Sequence, residues 1–140
     1  EDFLLALPSS LPLAAADDPL PMDALSGQEL LLLEDGHCLR DQALAVCSLA
    51  GGKERSGFRA TSLETLRHMV ATGSGITLLP ELSVSPPVTP HPGLALRRLE
   101  PSPHRDLALV RRASHVDPSL IDDLAGVLRQ AGEILSPQLV

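Results

Sequence analysis

A chain of 140 residues with 44% hydrophobic content has enough apolar material for one core and too little for two full domains. Its formal charge of −7 argues against direct contact with nucleic-acid phosphates, and two cysteines are too few for a secreted disulfide scaffold. No run approaches the ~18 apolar residues of a membrane span, and the absence of Trp and Tyr removes the usual platforms for stacking bases or sugars. Glu1 and Asp2 replace the positive flank of a signal peptide. The chain opens without Met straight into an apolar run and reads as a piece of a longer protein.

Phe3–Leu7 is a short apolar strand candidate. Pro8, Pro12, Pro19 and Pro21 follow, a stretch predicted to hold no regular element, with one helical turn at Met22–Leu25 before Gly27. Leu30–Leu33 is the continuous apolar run of a strand covered on both faces. Asp35-Gly36 then turns the chain into a helix over Cys38–Ala50, closed by Gly51-Gly52, a pair that suggests a flexible loop. Phe58–Ala60 is a brief strand. Thr61 and Glu64 have capping-box spacing, and Leu63, Leu66 and Val70 share one face of a helix that runs until Gly73.

Gly75–Pro80 is a strand ended by proline, 86–92 a loop, and Leu94–Leu99 and Leu107–Val110 two further strands. Asp117-Pro118 opens a last helix with Leu120, Ile121, Leu124, Val127, Leu128, Ala131 and Leu135 on one stripe. Strands alternating with helices predict an α/β fold with a largely parallel sheet. No internal repeat is visible.

Both cysteines fall in one predicted helix, nine residues apart. Nine helical steps carry a residue ~13.5 Å along the axis and to the opposite face. A disulfide needs Cα atoms within about 7 Å. A Cys38–Cys47 bond is therefore impossible while the helix stands and possible once it unwinds. Cys38 sits where free N–H groups and the positive end of the helix favour a thiolate, with His37 and Arg40 close in sequence. The plainer reading makes Cys38 a small buried hydrophobe, and Cys47, beside Ala43, Leu44 and Val46, ordinary core packing. Neither CxxC nor HxxxH spacing accompanies His37, Cys38, Cys47 and His68, which argues against zinc. Gly73-Ser74-Gly75 lacks the lysine and following helix of a phosphate loop.

GHCLRDQ (Gly36–Gln42) followed by Cys47, then RATSLETLRHMVATGSGITLLP (Arg59–Pro80), strongly resembles the peroxide-sensing members of the LysR-type transcriptional regulators. The likeness runs from about Leu4 to Asp106, densest between Leu31 and Pro80. Gly-Ile-Thr-Leu-Leu-Pro marks only the wider family; the His-Cys-Leu-Arg-Asp run with a second Cys nine residues on is far more specific. Gly57 departs from the pattern, standing where some relatives carry a histidine.

The resemblance implies a periplasmic-binding-protein-like regulatory domain of two α/β lobes joined by crossover strands. Residues 1–10 would be the first crossover and 11–105 the second lobe. Residues 106–140 would be the return crossover and a C-terminal helix of the first lobe, with the DNA-binding domain absent from this chain. It also implies roles: Cys38 as the peroxidatic thiol, Cys47 as the resolving one, and His37, Arg40 and Asp41 as support around the peroxide. Phe58 and Met69 would be apolar packing near the mobile segment. The implied setting is a cytoplasmic, homodimeric or homotetrameric regulator without cofactor, metal or membrane contact. It would respond to hydrogen peroxide, be reset by a glutaredoxin- or thioredoxin-type reductant, and reach promoter DNA and RNA polymerase through the full-length protein.

It would not be an enzyme; a thiol peroxidase would want a thioredoxin-like CxxC or a peroxidase signature. The other reading within the same fold is a small-molecule effector domain with incidental cysteines.

Overall fold

β1 (Phe3–Pro8) is buried at all six positions because it runs between two other strands and is apolar on both faces. The computed structural model describes residues 1–112 and 118–135. After β1 the proline-rich stretch makes two short 3-10 turns, Pro12–Ala15 and Met22–Leu25, around the two-residue β2 (Leu20–Pro21). Then come β3 (Glu29–Leu33), α1 (Cys38–Leu49), β4 (Lys53–Ala60), α2 (Leu63–Ala71) and β5 (Thr77–Pro80). β6 (Leu94–Arg97), β7 (Leu99–Glu100) and α3 (Pro118–Leu135) complete the order.

β3 and β4 pair in parallel, as a strand–helix–strand crossover through α1 requires. Leu30 bridges Ile76 in parallel, and the Thr77 hydroxyl donates to the Leu31 carbonyl at 2.7 Å, so β5 continues the layer beside β3. β1 lies antiparallel to both β5 and β6. The strands are thus mixed rather than largely parallel: β1 arrives from outside the strand–helix repeat, and nothing obliges it to follow the repeat's direction.

Phe3, Leu5, Leu7, Leu30–Leu32, Leu78 and Leu79 form the centre of the core, with Leu66 and Val70 of α2 closing over them. At roughly 1.5–3 kcal/mol per buried apolar side chain, this cluster is the main source of stability.

Three further sequence expectations need correction. Residues 107–110 form no strand; Leu107, Leu109 and Val110 are exposed, and no described strand lies beside them to complete a ladder. The expected Leu94–Leu99 strand divides into β6, which pairs with β1, and β7, which pairs with β2. β4 is longer than Phe58–Ala60 because a bulge interrupts it: Leu30 faces Glu54 but Leu32 already faces Arg59, so residues 55–58 loop out of register.

α3 begins at Pro118. Asp117, predicted to open it, and the side chain of Leu135 lie outside the described residues. Along its stripe Leu120, Leu124, Val127 and Leu128 are exposed, while Ile121 and Ala131 are half-buried. No helix of the described residues is long and apolar enough to cross a membrane.

Candidate functional site: a two-cysteine helix

α1 begins after a sharp turn that Gly36 makes at φ +94, a left-handed conformation that L side chains rarely adopt. His37 is the N-cap residue, but its side chain makes no capping hydrogen bond; its carbonyl accepts from the Arg40 N–H at 2.9 Å. Cys38 is the first helical residue and is exposed. Cys47 is the tenth residue of the same helix, and its side chain is fully buried. Both are free thiols. The helix therefore places the two sulfurs at opposite ends and on opposite faces, one in solvent and one in the core.

The far end of α1 is closed by backbone bonds at the glycine pair. Gly51, at φ +76, donates to the Ser48 carbonyl, and Gly52 donates to the Cys47 carbonyl at 2.9 Å. This is the paired bonding of a Schellman C-cap. Gly52 also lets the backbone come close to the buried thiol: a Cβ there would stand 2.7 Å from the Cys47 sulfur and 3.0 Å from the Leu25 carbonyl oxygen. Burial pushes the Cys47 thiol up from its ordinary value, because a thiolate would lose its hydration there.

The remaining predicted site residues divide. His37 lies half-buried with Nε2 3.9 Å from a Glu34 carboxylate oxygen. Asp41 is exposed in the first turn of α1, where a negative charge suits the positive end of the helix. Arg40 turns inward. Its Nη2 donates to both carboxylate oxygens of Glu54, at 2.9 and 2.8 Å, and its Nε lies 3.1 Å from Asp35 Oδ1. It is therefore engaged by two carboxylates, on the face of α1 away from Cys38.

Met69 is half-buried against the core. Phe58 is not core packing. It rides on the β4 bulge, 44% exposed, with the Arg55 guanidinium 4.9 Å over its ring. Sequence reasoning had no signal for the bulge except Gly57, whose φ of +82 lets the chain loop out there.

Glu54 and Arg59 complete the surroundings and were not singled out from the sequence. Arg59 Nη1 bonds Asp35 Oδ2, and Arg59 Nε lies 3.5 Å from Glu54 Oε1. Beneath α1 a cleft of about 10 Å³, the size of a single water, is lined by Leu32, Leu33, Leu39, Arg40, Ala43, Leu66, Thr77 and Leu78.

The LysR substrate binding domain matches residues 1–133. The DNA-binding transcriptional dual regulator OxyR of Escherichia coli K12 is 49% identical over 130 residues, which cover 92% of this chain and 42% of that protein. The chain thus spans less than half the length of this relative. The crystal structure of the reduced form of OxyR superposes with a TM-score of 0.79 at 44% identity, over 95% of this chain and 61% of that one. The oxidised form gives 0.76 at 47% identity, over 95% and 62%.

Proposed function

The chain belongs to the LysR substrate-binding domain family, and from that premise we propose that it is the redox-sensing regulatory part of a peroxide-responsive transcriptional regulator. The observation that carries the reading is the α1 geometry: two free cysteines nine residues apart, one exposed at the first position and one buried near the last. The likeness to a regulator known in both reduced and oxidised forms agrees with it.

The chemistry follows from the two environments. The Cys38 thiolate attacks one oxygen of hydrogen peroxide, the O–O bond breaks, and hydroxide leaves to take up a proton as water. Cys38 is now a sulfenic acid. Cys47, as thiolate, attacks that sulfur and expels the second oxygen as water, leaving a Cys38–Cys47 disulfide. Two thiols have lost two electrons, and peroxide has become two waters.

The second step cannot proceed with α1 intact, because ~13.5 Å of helix separates residues nine apart and a disulfide tolerates about 7 Å between Cα atoms. Unwinding removes Leu39, Ala43 and Cys47 from the core, at a cost of several kcal/mol. The disulfide must offset that cost, so its potential lies above that of a structural disulfide, within reach of glutaredoxin- or thioredoxin-type reductants.

In this reading residues 1–10 are the first crossover, 11–105 the second lobe, and 106–140 the return and a helix of the first lobe. The regulator works in the cytoplasm as an oligomer, turns over no substrate, and meets promoter DNA and RNA polymerase through parts outside this chain. His37 and Asp41 support the reacting end of α1.

Thiol counting and mass spectrometry before and after about one equivalent of hydrogen peroxide test the proposal. Wild type is expected to lose two thiols and two hydrogen masses, with Cys38 linked to Cys47 in the peptide map. Cys47→Ser is expected to stop at a sulfenic acid on Cys38, and Cys38→Ser to leave Cys47 as thiol. Unchanged thiols in the wild type would refute the switch.

A further inference from the structure

Asp35, Arg40, Glu54 and Arg59 form a closed ring of two anions and two cations around the start of α1. Glu54 takes both its carboxylate oxygens to Arg40 Nη2, at 2.9 and 2.8 Å, and lies 3.5 Å from Arg59 Nε. Asp35 closes the other side, 3.1 Å from Arg40 Nε and bonded to Arg59. The side chain of Arg40 is 8% exposed and that of Glu54 24%, so the inner pair is shielded from water. Arg40 Nε approaches Asp35 without making a hydrogen bond, so the Glu54 contact is what fixes its guanidinium.

We infer that Glu54 is a positioning residue of the switch, anchoring the first turn of α1 to β4 through Arg40 and so setting how readily that turn unwinds to carry Cys38 toward Cys47. The inference rests on the redox reading above and adds a regulator of it. Asp35 and Arg40 flank Cys38 on either side, three and two residues away. The backbone between them cannot leave its helical course without drawing Arg40 off Glu54, and a shielded cation deprived of its partner is strongly unfavourable. No side chain caps the helix start, so the ring takes the place of a local stop signal. Glu54 touches neither sulfur in this account. It acts on the equilibrium between wound and unwound α1.

The test equilibrates the 140-residue chain in mixtures of glutathione and glutathione disulfide. Two glutathione thiols reduce the Cys38–Cys47 bond and are themselves joined. The fraction oxidised is read by mass, with circular dichroism confirming the fold. Glu54→Gln removes the charge while keeping size, and is expected to shift the midpoint about tenfold toward the oxidised form, near 30 mV more negative for two electrons. Arg40→Lys, which keeps charge but loses the forked grip, is expected to shift it less. Ser62→Ala, which weakens the start of α2 and touches no member of the ring, is expected to leave the midpoint within twofold. Should Glu54→Gln fail to fold, Arg59→Gln on the exposed side of the ring is expected to move the midpoint in the same direction by a smaller factor.

A normal disulfide whose midpoint is unmoved in the ring variants, or moved equally by Ser62→Ala, overturns the role of Glu54 and leaves the redox reading standing. Absence of any Cys38–Cys47 disulfide in the wild type overturns both.

Discussion

α1 and α2 lie on the same strands, are of comparable length, and end alike. Each stops in a Schellman motif with glycine in the left-handed conformation, Gly51 at φ +76 and Gly73 at φ +87, and each returns two backbone bonds to its last turn. They differ at the start. Ser62 caps α2 by accepting from the Thr65 N–H at 3.1 Å, and Arg67 ties the first turn to Glu64 and to the Thr89 carbonyl. α1 has no side-chain cap, and its first turn is held by carboxylates from the preceding turn and from β4. A local cap belongs to its own helix and stabilises its start by about 1 kcal/mol. A start held by carboxylates outside the helix can be released when those charges part, and that helix is the one carrying both thiols.

Core substitutions give the widest test of that contrast. Leu66 on α2 is almost completely buried, so Leu66→Ala is expected to cost about 2–5 kcal/mol, in the reduced and the oxidised chain alike. Leu39→Ala on α1 is expected to cost a similar amount in the reduced chain and little in the oxidised one, where α1 has left its seat. Urea unfolding of both redox forms measures this. Equal losses for Leu39→Ala in the two forms would mean that α1 stays wound on oxidation.

The caps give a finer test. Ser62→Ala is expected to cost about 1 kcal/mol in either redox form. His37→Ser offers α1 the cap it lacks and is expected to stabilise the reduced chain by about the same amount, leaving the oxidised chain unchanged. In mixtures of glutathione and glutathione disulfide that variant should need a more oxidising ratio to form the Cys38–Cys47 bond. If His37→Ser stabilises both forms equally, the start of α1 does not distinguish them.

Much of this contrast could be read from the sequence, and its limits have physical causes. The apolar runs of β1 and β3 and the face of α2 gave strands and helix correctly, because burial on one or two faces leaves a period in the chain. The capping-box spacing of Thr61 and Glu64 puts the start of α2 one residue early: Ser62 caps, while Glu64 meets Arg67 and His68. Two adjacent hydroxyl residues cannot be ranked without backbone angles. The two cysteines stood out through their spacing, yet the ring that anchors them did not, since Asp35, Arg40, Glu54 and Arg59 become neighbours only when β4 folds beside β3. Phe58 misled for the same reason. An aromatic residue in a strand normally points to the core, and only the register shift carries it out to solvent.

The smallest expected effect bears on the order of events at the site. Cys47 titrates above its ordinary value because it is buried, so the folded chain holds that proton at pH values where the unfolded chain has released it. Stability from this source is complete below about pH 9, the thiol's ordinary value, and falls as pH rises from there through the raised folded value. Urea unfolding of the reduced chain between about pH 8 and 10.5 should therefore show a slope in the wild type, at most about 1.4 kcal/mol per pH unit, that Cys47→Ala flattens. On the proposed redox reading the same burial keeps the Cys47 sulfur out of reach until α1 opens, so that Cys38 would meet peroxide first and the resolving thiolate would form only as the helix comes apart. Identical slopes in the two chains would mean that folding does not raise the Cys47 thiol, and that its burial gives no pH-dependent stability to the wound form of α1.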